Sequence, residues 1–207
     1  MIKTTLILIL VLISSLLNTN GSTFIQRQEY LTDYLDKLRS TDPNEREDSA
    51  RGIMQSKFVI QDRRGVINAI KQIAREYIAD RERAGSAKTA ISLLGDLQDV
   101  DSIPFFIENL TFHVFYKETK KAQEIGDAYP CAGALISIGM PSIDPIISKA
   151  EKTDDELILR ISSWIVLCVL RDKASSFIQE RVGQSNEEIQ RRLLRMKYHI
   201  DLWKSRN

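Results

Sequence analysis

Histidine and cysteine are scarce in this chain, at two residues each among 207. His113 and His199 lie far apart in sequence, and neither has a second His or a Cys at metal-ligand spacing. No nucleophile elbow of the form G-x-S-x-G occurs, and no Gly-rich phosphate loop. No catalytic site, metal or cofactor is therefore expected. Nine Gly and five Pro are too few for a turn-dense β-sandwich or a disordered tail. Net charge is nearly absent too, at +1. A balanced chain has no general attraction for nucleic acid, so none is expected as a partner.

Only one long apolar run is present, and it sits at the start. "MIKTTLILILVLISSLLNTNGS" has one basic residue, Lys3, then apolar residues from Leu6 to Leu17, then small and polar residues. That is the order of a secretory signal. The run is short for a membrane span, which takes roughly 20 apolar residues. Residues 1–21 are expected to be a signal peptide cleaved after Gly21, with Asn20 and Ser22 as nearby alternatives. The rival reading is an uncleaved N-terminal anchor. Cleavage removes Lys3 and no acid, which leaves 28 basic and 28 acidic residues. The expected location is outside the cytoplasm, periplasmic or extracellular, with no integral membrane span after cleavage.

What the chain does have is helical periodicity from residue 24 onward. "FIQRQEYLTDYLDKLRS" places Phe24, Tyr30 or Leu31, Tyr34 or Leu35, and Leu38 on one face. Asp42 is a candidate N-cap, with Pro43 at the first helical position. Val66, Ala69, Ile70, Ile73, Ala74 and Tyr77 form a stripe at spacings of three and four. In "NEEIQRRLLRMKYHIDLWKS", Ile189, Leu193, Met196, Ile200 and Trp203 do the same. That last helix reads as a terminal cap, apolar inward and charged outward, rather than a membrane-surface helix.

A pattern also recurs. "AISLLG" ends at Gly95 and "ALISIG" at Gly139; "SIPFFIENL" restarts at Ser102 and "SIDPIISKA" at Ser142. Gly is expected to close each first helix, and Pro104 fits the first turn of a second. Weaker copies match Ser49-Ala50 to Ser86-Ala87, and Phe177-Ile178 to Ile146-Ile147. Paired antiparallel helices repeating in this way predict an all-α fold, an α-solenoid of about ten helices in one domain over residues 22–207.

These stretches, with "YPCAGALISIGMP", resemble HEAT repeats, and in particular a group of secreted bacterial HEAT-repeat proteins. The likeness is good over residues 84–182 and weak over 24–83. It implies a fold and a tendency to bind macromolecules, here a protein partner. A few HEAT-like proteins are cofactor lyases or chaperones. The alternative is therefore a HEAT-like enzyme or cofactor-handling accessory protein of the lyase type, which would need His113, Asp127 and Tyr129 to converge in a groove.

An insertion at 111–129, "TFHVFYKETKKAQEIGDAY", interrupts the rhythm. Its alternation over 111–116 suits an extended segment. Long connections in compact arrays tend to be functional. The candidate partner-binding residues are Phe112, His113, Phe115, Tyr116, Lys120, Lys121 and Tyr129. The competing reading is a loop that folds its aromatics onto the core.

A disulfide between Cys131 and Cys168 is not expected. The repeat places Cys131 level with Ser162, about 9 Å along a helix axis from Cys168. Bridged Cα atoms need to lie within about 7 Å. Two free, buried thiols are expected. Asn109-Leu110-Thr111 is a glycosylation triplet, of consequence only in a eukaryotic secretory pathway.

Overall fold

A computed structural model describes residues 30–56, 62–114 and 125–206. The expected signal peptide, and Phe24, lie outside the described residues. Among those described the chain is helical almost throughout and contains no strand.

Helix α1 covers residues 30–38 and turns Leu38 fully into the core. Leu31, Tyr34 and Leu35 are half-buried against the core, while Tyr30 is exposed. Helix α2 (Pro43–Gln55) starts as expected: Asp42 accepts from the Asn44 backbone N–H, and Pro43 takes the first position. Helix α3 (Arg63–Tyr77) is capped by Asp62 and buries the expected stripe with Ile67 added; Ala69 is half-buried.

The repeat region follows as α4 (Ala84–Asp96), α5 (Ile103–Glu108), the single turn α6 (Ile125–Ala128), α7 (Pro130–Ile138) and α8 (Ile143–Ala150). Then come α9 (Glu156–Leu170), α10 (Ala174–Gly183) and α11 (Glu187–Lys204). Alternate helices lie side by side. The row runs α2, α4, α7, α9, α11, each packed on the next. Helices α5 and α8 form a second row, and α10 packs on α9 and α11.

The turns between rows repeat in backbone form. Each has one residue at positive φ beside a single 3-10 turn. Gln98 (φ 51°) precedes Val100–Ser102, Gly139 (φ 80°) precedes Met140–Ser142, and Arg171 (φ 52°) opens Arg171–Lys173. Ser102 and Ser142 are fully buried. The Ser142 hydroxyl donates back to the Gly139 carbonyl at 2.7 Å, and Ser102 donates to the Asp99 carboxylate.

The expected role of Gly95 is corrected. Helix α4 runs past Leu94 to Asp96, so Gly95 is helical. The helix closes as a Schellman motif: Asp99 N–H donates to Leu94 C=O at 3.1 Å, and Gln98 N–H to Gly95 C=O at 2.8 Å. The left-handed position belongs to Gln98. Gly95 is needed for a close approach instead, because a Cβ there would lie 2.6 Å from the Ala134 Cα on α7. At Gly139 the expectation stands: it ends α7 at φ 80°, ψ −136°, with no atom crowding it.

A charged clamp fixes the first of these turns. Lys71 on α3 meets the Asp99 carboxylate at 2.8 Å, and both side chains are largely buried. Arg63 donates to the Leu97 carbonyl. These contacts tie α3 to the α4–α5 connection.

Candidate interaction surfaces

The structure brings the ends of the insertion together. Phe112 and Tyr129 are half-buried and pack against the core. The His113 ring is exposed and tilts against Tyr129, with centroids 6.2 Å apart. Its Nδ1 lies 3.3 Å from the Thr111 carbonyl. Residues 112–114 have no regular secondary structure. Phe115, Tyr116, Lys120 and Lys121 lie outside the described residues, as does the Asp127 side chain. Of the described candidates, Phe112 and Tyr129 follow the packing reading, and His113 faces solvent.

A second surface was not marked by the sequence. A groove of ≈ 520 Å³ runs between α5 and α8. Its walls include Pro104, Pro141 and Pro145, with Ile107 and the exposed Glu108 along its length. Val100, 49% exposed, lines it at the first turn; Met140, 62% exposed, precedes Pro141 at the second. The prolines sit in first turns, where a missing N–H leaves no hydrogen bond unmade. They give the groove rigid apolar walls. Among the described residues Glu108 is the single charged residue lining it, and Asp101 and Asp144 are exposed nearby in sequence. The recurrence of Pro at the two repeat-equivalent turns is the sequence signal that could have found it.

The third surface is the outward side of α11, where a groove of ≈ 490 Å³ is lined by Glu156, Glu187, Arg191, Leu194, Arg195, Tyr198 and His199, among others. Ion pairs bind α11 to the start of α9. Arg192 grips Asp154 with two nitrogens, at 3.2 and 2.9 Å, and also reaches Glu188 and the Glu151 carbonyl. Arg195 donates to Glu156, and His199 Nε2 stands 2.5 Å from Glu156 Oε1. Burial pushes the Glu156 carboxyl up, but the hydrogen bonds from Arg195 and His199 outweigh it and hold it below its ordinary range. The Arg192 hydrogen bond holds Asp154 down in the same way.

Both cysteines are free, as expected. Cys131 is buried, and burial pushes its thiol up to about 12. Cys168 corrects the expectation of full burial: it is half-buried, and burial pushes its thiol to about 11. Among the described residues no group of three or more His, Cys, Asp or Glu is placed to hold a metal ion. No described helix is long and apolar enough to cross a membrane. Comparison of the chain with family models, curated proteins and solved structures finds no match.

Proposed function

We propose that this protein is an exported, non-catalytic scaffold of HEAT-like helix pairs that binds a protein partner in the groove between α5 and α8. The solenoid reading is supported by the alternating rows and by the turn that recurs with one positive-φ residue in each copy. Export is supported by the order of residues 1–21.

One observation carries the binding reading. Val100, one of the few large apolar side chains left exposed, lines a groove walled by proline, and the exposed Met140 precedes Pro141 of its wall. Covering such a surface releases hydration water at roughly 25 cal/mol per Å² of apolar area. Rigid walls keep the conformational cost of binding low. The groove suits an extended apolar segment of a partner. The ends of the insertion at His113 and Tyr129 offer a further contact region.

The test is affinity capture from the native host with the full chain as bait, compared with a Val100→Asp, Met140→Asp double variant. Both side chains are exposed, so the fold should survive, and helix circular dichroism checks that. The expected outcome is a specific partner recovered by the parent chain and lost by the variant. Equal recovery, or no specific partner, sinks the reading.

A further inference from the structure

We propose that the partner segment taken up between α5 and α8 is extended and apolar and carries two Lys or Arg residues about three positions apart; this rests on that groove being the binding site. The charge around the groove points that way. The chain as a whole is balanced, with 29 basic and 28 acidic residues. The two stretches that build the groove are not. Residues 97–114 and 139–148 contain Asp99, Asp101, Glu108 and Asp144, and no Lys or Arg.

Two of these acids are matched within the chain. Asp99 meets Lys71 at 2.8 Å, and Asp144 meets Arg181 of α10 at 3.5 Å. Asp101 and Glu108 are exposed, and among the described residues neither forms an ion pair. Arg75 on α3 is held over the Phe105 ring at 5.8 Å, and Phe105 is not one of the groove's walls. A purely apolar occupant would strip water from Glu108, which lines the groove, and give it no cation in return. Desolvating an unpaired carboxylate is costly. A Lys or Arg on the occupant removes that cost.

The register sets the spacing. Asp101, Pro104 and Glu108 stand at i, i+3 and i+7, on one side of the Val100–Ser102 turn and α5. Residues three apart eclipse in a 3-10 turn, which brings Asp101 into line with Pro104. Pro104 and Glu108 both line the groove, so Asp101 stands at its edge. Seven residues at about 1.5 Å each separate the two acids by about 10 Å along the helix. No described residue forms a strand, so the walls offer an occupant no ladder to join. An extended segment without a ladder suits polyproline II geometry. Its side chains at i and i+3 share a side and lie about 9 Å apart. Two cations at that spacing meet Asp101 and Glu108, and the apolar residues between them cover Val100, Ile103 and Ile107.

The test is selection of displayed random peptides on the immobilised full chain, counter-selected on the Val100→Asp, Met140→Asp double variant. The expected outcome is a set of apolar peptides with Lys or Arg at i and i+3. Fluorescence anisotropy of an enriched peptide then compares the full chain with Asp101→Asn and Glu108→Gln. Each substitution is expected to weaken binding by about threefold, and the two together by about tenfold. Both side chains are exposed, and circular dichroism checks that the variants stay folded. Enriched peptides that are apolar and uncharged overturn the proposal and leave the groove as the binding site. Basic peptides that bind the Asp101→Asn, Glu108→Gln double variant as tightly as the parent chain overturn it in the same way. No enrichment over the counter-selection overturns both this proposal and the groove itself as a binding site.

Discussion

Gln98 and Arg171 hold backbone torsions that L-residues rarely adopt, at φ 51° and 52°, and both side chains face solvent. Left-handed backbone costs a non-glycine residue roughly 1–2 kcal/mol. Gln98→Gly and Arg171→Gly are therefore expected to stabilise the chain by about 1 kcal/mol each, read from urea unfolding midpoints. Glycine's greater freedom in the unfolded chain takes back part of that gain. Gly139→Ala should destabilise through its torsion, since no atom crowds the site. Gly95→Ala should destabilise for a different reason, its collision with Ala134. Sequence makes Gly139 legible and Gly95 misleading because glycine serves both needs, a left-handed turn and a close helix crossing. Only the position of α7 tells them apart. The thiols give a second expectation at this scale. With both pushed well above neutrality, neither should react quickly with a thiol reagent in the folded chain. Both should react on unfolding, and mass spectrometry without reductant should find no link between Cys131 and Cys168.

Among the elements, α11 was the most legible. Its inward stripe was written in the sequence: Leu193, Met196, Ile200 and Trp203 are buried and Ile189 is half-buried, while the cap, Asn186 accepting from the Ile189 N–H, is seen only in the structure. Leu194 and Tyr198 fall outside that stripe and are exposed. The docking of α11 should depend on pH. Glu156 is held down by Arg195 and His199 against its own burial, and Asp201 by Lys197 and then Ser175. Carboxyls lowered in the folded state contribute fully above the ordinary carboxylate range. That contribution fades as pH falls through the lowered folded values. Stability should therefore drop in acid, and Glu156→Gln should lose less over the same fall. A midpoint that does not change with acid would contradict this. The α3 clamp gives a larger effect. Asp99→Ala leaves Lys71 without its carboxylate in a largely buried site. Breaking such a pair typically costs about 3 kcal/mol or more, measurable by chemical denaturation. Nothing in the local sequence joins Lys71 to Asp99, because the pairing is made by the packing of α3 on α4.

At the scale of the molecule, helix periodicity made the all-α architecture readable almost throughout. Apolar residues at spacings of three and four have one way to reach a shared core. The α5–α8 groove was not readable, because it exists only where two turns from separate repeats come side by side. Val100 and Met140 are ordinary turn residues until their neighbours are in place. The insertion drew attention for its aromatics, yet Phe112 and Tyr129 pack on the core as apolar residues usually do. The proposed binding surface therefore lies on the helix pairs and their turns, with the ends of the insertion as a further candidate region. Hydrogen exchange of the full chain, with and without its captured partner, is the sharpest test of that placement. Groove binding predicts slowed exchange over 100–108 and 140–147, with 111–114 and 125–129 little changed. Protection confined to the insertion, or absent from both turns, would contradict it.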